Sequence, residues 1–142
     1  MKAKKTLFGT ILVFLALTGL GLADELLVPD DYLTIQAAID AAVDGDEVIV
    51  ADGTYTGTGN KNLDFGGRAI TVRSQNGPQF TIIDCENDGR AFFFHTGEDE
   101  NAIVAGLTIT NGSTDYGAGI RCDHSSPTIN NCIFKSHTAT LS

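Results

Sequence analysis

Four side chains capable of acid–base or ionic chemistry lie close together near the end of the chain: Asp115, Arg121, Asp123 and His124. Arg121 and Asp123 are two positions apart, so they point to one face if their strand continues through Asp123. An unperturbed histidine titrates near neutral pH. Such a group on the outside of a sheet suits proton transfer or the binding of a polar substrate. Ordinary solvated residues on a strand and turn would show the same pattern.

A second acidic group, Glu98-Asp99-Glu100, lies in a predicted loop between strands. Carboxylates are ligands of Ca²⁺. The EF-hand spacing and the glycine-rich nonapeptide calcium repeat are both missing, which favours a solvated loop instead. We therefore predict no resident cofactor, with Ca²⁺ at this loop as the alternative.

Three consecutive phenylalanines, Phe92 to Phe94, lie in a predicted strand. Side chains alternate across a strand, so at least one ring points outward. That ring either packs against a loop or stacks on a sugar. The three cysteines, Cys85, Cys122 and Cys132, form at most one intrachain pair or serve as small core residues. Without a Cys-x-x-Cys or Cys/His cluster, zinc is not expected.

The first 23 residues have the organisation of a secretory signal peptide. Three lysines occur in Met1–Lys5, an apolar run covers Leu7–Leu22, and Gly21-Leu22-Ala23 forms a small-residue cleavage site. An uncleaved membrane anchor is the alternative. We predict a signal peptide at 1–23, a mature domain at 24–142, and a secreted or cell-surface location.

The charge balance limits the classes of partner. Cleavage leaves six basic residues against 18 acidic ones, so the net charge falls from −9 to −12. A surface this acidic repels nucleic acid and anionic lipid. We expect neither as a partner, and no membrane contact after cleavage.

The sequence predicts one short helix followed by many short strands. Thr34 is a suitable N-cap, and Ile35, Ala38, Ile39 and Ala42 form one apolar stripe, which predicts a helix at about 34–43. Beyond it, short β-type runs are separated by turn formers. The predicted strands are 47–51, 69–73, 80–84, 91–95, 107–110, 119–122 and 128–134.

A short phrase recurs within this β region: Thr108-Ile-Thr-Asn111 is followed by Thr128-Ile-Asn-Asn131. Periods of 20 or more residues are typical of stacked coils that contact only their neighbours. Stacked asparagines can hydrogen-bond to one another, which predicts a ladder with Asn111 and Asn131 as adjacent rungs. Chance repetition in a β protein rich in Thr and Asn is the alternative.

The segments "TIQAAIDAAVDGDEVIVADGTY", "GLTITNG" and "GAGIRCDHSSPTINNCIF" resemble secreted bacterial right-handed parallel β-helix proteins of the pectate-lyase-like superfold. The resemblance extends from Val28 to about Lys135. It implies an all-β solenoid with an N-terminal capping helix and coils at about 46–135. Members of that superfold usually continue through more coils, so the chain resembles a truncated member or fragment.

Two functional hypotheses follow. The first is an exported, non-enzymatic scaffold at the cell surface that binds carbohydrate. The second is a polysaccharide-active enzyme, a lyase, hydrolase or esterase, with its site mostly in missing coils. An outward line of acidic and basic residues on successive coils would favour the enzyme. Because no apolar stripe follows Phe134 to cover the last coil, we also expect end-to-end self-association.

Overall fold

A computed structural model describes residues 21–139. These residues form a parallel β-solenoid of about five turns with one short helix. In chain order the elements within 21–139 are β1 (Glu25–Val28), α1 (Ile35–Ala41), β2 (Glu47–Val50), β3 (Gly53–Tyr55), β4 (Thr71–Ser74), β5 (Thr81–Asp84), β6 (Phe92–Phe94), β7 (Ile103–Ala105), β8 (Thr108–Thr110), β9 (Ser113–Thr114), β10 (Ile120–Cys122), β11 (Thr128–Asn130), β12 (Ile133–Lys135) and β13 (Thr138–Ala139).

The strands stack into four parallel sheets along the solenoid. Their orders are β1-β2-β4-β7-β11, β3-β5-β8-β12, β6-β10 and β9-β13. Leu63 extends the third sheet by one further parallel bridge to Phe92. Neighbouring parallel strands lie about 4.8 Å apart, so each position on one coil lies directly over a position on the next. The predicted β-solenoid is therefore confirmed.

The helix α1 covers one end of the stack. The Thr34 hydroxyl accepts a hydrogen bond from the N–H of Ala37 at 3.2 Å, which confirms the predicted N-cap. Ile35, Ala38 and Ile39 are buried against the first coils. The helix ends at Ala41 because Ala42 is already extended, so it is shorter than predicted.

The outer edge of β1 is closed by the turn that follows it. The Asp31 carboxylate, almost fully buried, accepts the N–H of Leu27 at 3.2 Å. The Leu27 carbonyl accepts the N–H groups of Asp31 and Tyr32 at 2.8 and 3.1 Å. Both backbone groups of Leu27 are therefore unavailable for pairing with another strand.

The core is a continuous apolar column with an aromatic centre. Phe65 lies edge-on to Phe92 and to Phe94, with ring centroids 6.1 and 4.9 Å apart. This is a favoured arrangement of aromatic rings. The predicted burial of Ile70, Val72 and Ile109 is confirmed, and Ile120 packs partly buried against the core. Ile129 is 37% exposed, so its predicted burial is wrong.

Asn111 and Asn131 do not form adjacent rungs of one ladder. Thr108 pairs with Ile133, whereas Thr128 pairs with Ile103 in a different sheet. The two similar phrases therefore occupy different corners of the coil, and the true repeat at both corners is 25 residues. Asn111 donates instead to the Asp84 carboxylate at 3.0 Å, and Asn131 is exposed.

Left-handed backbone explains both this error and a second one. Asn111 and Asn131 have φ values of 56° and 50°. Asparagine tolerates this conformation better than most residues, and it turns the chain at the end of a strand. The predicted strand 128–134 is therefore split at Asn131 into β11 and β12.

All three cysteines are free thiols. Burial is the main cause that raises the pKa of Cys85 to about 11, so this thiol is unreactive at neutral pH. No helix within residues 21–139 is long and apolar enough to span a membrane. All but the last three residues of the predicted signal peptide lie outside the described residues.

Candidate functional site

The sheet formed by β6 and β10 presents a polar array on its outer face. Phe93 pairs with Arg121 on the next coil, and the backbone N–H of Asp123 donates to the Phe94 carbonyl at 2.8 Å. Phe92 and Phe94 point into the core, so Phe93 points outward and is half-buried. The prediction that one of the three rings faces outward is confirmed.

Two guanidinium groups pack on the Phe93 ring. The Cζ atoms of Arg90 and Arg121 lie 5.1 and 5.2 Å from its centroid, within the range of cation–π interaction. Desolvation, followed by the positive charge of Arg121, lowers the pKa of Arg90. Arg90 remains charged because an arginine begins far above neutral pH. Its Nη2 donates to the Thr114 hydroxyl at 2.9 Å.

Arg121 and Asp123 form an ion pair, with 2.7 Å between Nη2 and Oδ2. Both side chains are about 40% exposed or slightly less, so solvent weakens the attraction. The prediction that they share a face is confirmed, although β10 ends at Cys122. Their remaining polar atoms point towards solvent beside Phe93, where a ligand can reach them.

A second pair lies on the preceding coil. The Nε2 atom of His95 is 3.1 Å from Oδ2 of Asp64. An ionised carboxylate only accepts hydrogen bonds, so Nε2–H is the donor and the neutral ring keeps its lone pair on Nδ1. The His95 ring packs on Phe93 with 4.3 Å between centroids. Phe93 thus joins this pair to the two arginines.

These side chains come from three successive coils: Asp64 from the first, Phe93 and His95 from the second, and Arg121 and Asp123 from the third. The array is an outward line of acidic, aromatic and basic groups. Sequence reasoning recognised only its last coil. Phe93 and His95 have the same alternation as Arg121 and Asp123, but only the 28-residue register between them reveals that the two pairs are neighbours.

Two other sequence candidates lie elsewhere. His124 is exposed and has a left-handed φ of 52°, so the chain turns away from the strand at this residue. Asp115 is exposed in the segment between β9 and β10. Neither residue is required to build the array around Phe93.

Glu98 is a buried structural residue. Only 3% of it is exposed, so the prediction of a solvated loop is wrong here, although it holds for Asp99 and Glu100. Desolvation would raise the pKa of Glu98, but hydrogen bonds from the Ser125 hydroxyl and nearby backbone N–H groups outweigh it and lower the pKa. Within residues 21–139, no group of three or more His, Cys, Asp or Glu side chains is arranged to hold a metal ion.

A polar groove of about 480 Å³ adjoins the array. It lies between α1 and the loop 57–62, and its lining includes Gln36, Thr58, Lys61, Asn62 and Asp88. Asp64 lines the groove and also bonds to His95, so the groove meets the array at this residue. Its volume is within the range of small-molecule sites.

Comparisons with known proteins assign no family. The chain matches no protein-family model, no curated protein and no solved structure.

Proposed function

We propose that this chain is an exported β-solenoid that acts as a carbohydrate-binding scaffold at the cell surface. The observation that carries the proposal is the three-coil array of Asp64, His95, Phe93, Arg121 and Asp123. Carboxylates accept hydrogen bonds from sugar hydroxyls, and guanidinium groups donate to sugar oxygens. A line of such groups with a spacing of about 4.8 Å suits an extended glycan that crosses the coils.

The array is rigid before a ligand arrives. Phe93 supports His95 and both guanidinium groups, and each ion pair fixes one further side chain. Because these rotamers are already held, binding loses little side-chain entropy. The solenoid therefore supplies a fixed surface, and the ligand needs only to match its donors and acceptors.

The proposal is tested by measuring affinity for soluble polysaccharides, including polygalacturonate, xylan and dextran, by affinity electrophoresis. Arg121→Gln and Asp123→Asn should each weaken binding of the preferred polysaccharide at least tenfold. Arg73→Gln is the matched control, because Arg73 forms a similarly exposed ion pair with Glu47 on another sheet. An equal loss in the control, or no retained polysaccharide, contradicts the proposal.

Export is a separate part of the proposal. The protein recovered outside the cytoplasm should begin at Asp24 when its N terminus is sequenced. An intact Met1 on membrane-bound material would instead identify residues 1–23 as an anchor.

One observation favours the second candidate function, a polysaccharide-active enzyme. His95 is oriented by the Asp64 carboxylate at 3.1 Å, which is the arrangement of a general base with its positioning group, and Arg121 lies on the adjacent coil. Lyase activity would appear as ultraviolet absorbance of an unsaturated product, and hydrolase activity as new reducing ends. Turnover that disappears in His95→Gln would promote the enzyme over the scaffold.

A further inference from the structure

The groove between α1 and the loop 57–62 has walls that are fixed by hydrogen bonds. The Gly59 carbonyl accepts the N–H of Gln36 at 2.8 Å, and the Asn60 side chain accepts the N–H of Ile35 at 3.1 Å. The Gln36 amide also makes two bonds to the backbone of Asp64, at 2.9 and 3.0 Å. The groove is therefore a preformed cavity of the fold.

Close packing keeps the loop in place. Gly59 has a left-handed φ of 88°, and a Cβ at this position would lie 2.8 Å from the Thr34 hydroxyl oxygen. Only glycine allows the backbone to approach the helix N-cap this closely. The glycine fixes the shape of the groove wall.

Three polar groups that line the groove have capacity left for a ligand. Asn62 uses its oxygen to accept the N–H of Arg90 at 3.1 Å, which leaves its Nδ2 donors without a partner among residues 21–139. Asp88 uses one oxygen for Lys61, and its side chain is 80% exposed. Thr58 is exposed, and its hydroxyl has no partner within the same residues.

The single ammonium of the groove is already engaged. Lys61 Nζ donates to the Asp88 carboxylate at 3.0 Å and to the Cys85 carbonyl at 3.2 Å, and Glu86 lies 3.8 Å away. The groove thus offers no uncompensated cation to an anionic ligand. Its lining contains no aromatic residue for an apolar one.

We propose that this groove is a second binding site, specific for a small neutral sugar. A sugar hydroxyl can donate to a carboxylate and at the same time accept from an amide N–H. Asp88 supplies the acceptor, Asn62 the donor, and Thr58 a hydroxyl that does both. This set matches adjacent hydroxyl groups of one sugar. The inference does not depend on the array around Phe93, since none of these three residues belongs to it.

The test is a titration of the ¹⁵N-labelled chain with D-galactose, D-glucose or D-xylose, followed by NMR. A ligand of this size binds with millimolar affinity, so each sugar is taken to about 50 mM. At least one sugar should produce saturable shifts at the amides of Thr58, Asn62 and Asp88. Sodium galacturonate and spermidine serve as the anionic and cationic probes and should bind at least tenfold more weakly.

Two variants remove the proposed contacts with little change in shape. Thr58→Val removes a hydroxyl, and Asn62→Asp keeps the oxygen that accepts from Arg90 but removes the donors. The double variant should bind the sugar at least tenfold more weakly, whereas Gln75→Ala, an exposed change elsewhere, should leave binding unchanged. Shifts that map to another surface, undiminished binding by the double variant, or binding of spermidine alone would each overturn the proposal.

Arg121→Gln separates this site from the array. It should weaken polysaccharide binding and leave the sugar-induced shifts at Asn62 unchanged. Loss of both would mean that the groove is part of the array and would contradict a second site.

Discussion

The Glu98 carboxylate accepts a hydrogen bond from the Ser125 hydroxyl at 2.7 Å, across one coil boundary. Its oxygens also accept the N–H groups of Gly67 at 3.0 Å and Thr96 at 2.9 Å. One buried side chain thus joins turns of three successive coils. A parallel stack has few covalent restraints between its coils, so this carboxylate helps to fix the position of each turn relative to the next.

Replacing Glu98 with Gln should lower the free energy of unfolding by about 1–3 kcal/mol, because an amide nitrogen cannot accept the N–H and O–H groups that face it. Urea unfolding followed by circular dichroism measures the change. Glu100→Gln is the control: Glu100 is exposed and should change stability by less than about 0.5 kcal/mol. Equal stability of the two variants would show that the three bonds contribute nothing.

The same carboxylate predicts an acid-sensitive stability. The pKa of Glu98 is lowered in the folded state, so its contribution is present above the ordinary glutamate pKa and is lost as the pH falls through the lowered value. Unfolding free energies measured from neutral to acidic pH should converge for the wild type and Glu98→Gln. A constant difference across that range would contradict this assignment.

The sequence predicted the solenoid and its capping helix well, because both depend on local patterns. Thr34 and the stripe from Ile35 identify the helix, and short runs between turn formers identify the strands. The array could not be predicted because it depends on register. Coil lengths differ, so that β4 pairs with β7 over 32 residues but β7 pairs with β11 over 25. A pattern read with one fixed period cannot align Asp64 with Phe93.

The buried role of Glu98 was hidden for a related reason. A run of three acidic residues is typical of a solvated loop, and the donors that bury Glu98 come from Gly67 and Ser125, far away in sequence. Only the stacking of the coils brings them together.

The aromatic core should dominate stability. Phe65 is fully buried between Phe92 and Phe94, so Phe65→Ala should lower the free energy of unfolding by about 3–5 kcal/mol. Phe80→Ala is the matched control, because Phe80 is 55% exposed and should cost far less. Thermal or urea unfolding of both variants tests the prediction. A similar loss in both would place the structural core elsewhere.

We expect the 142-residue chain to show no lyase, hydrolase or esterase turnover of pectin, with or without Ca²⁺. The reason is that the array offers one oriented histidine, and within residues 21–139 no group of side chains is arranged to hold Ca²⁺. Product assays on pectin and its de-esterified form measure this. Turnover abolished by Arg121→Ala or Asp123→Ala would replace the scaffold with the enzyme.

Self-association should involve one end of the solenoid. The coil that contains β11 and β12 exposes apolar side chains, with Ile133 and Phe134 42% and 46% exposed, beside strand edges that pair on one side only. At the other end, Asp31 closes the edge of β1 at Leu27. Two copies can therefore join by the same face, and such an isologous contact closes after one pairing. We expect dimers at tens of micromolar in light scattering, and monomers after Phe134→Ser. Asp31→Ala frees Leu27 and should allow longer assemblies, whereas Asp30→Ala, an exposed neighbour, should not. A monodisperse wild-type monomer would contradict the prediction.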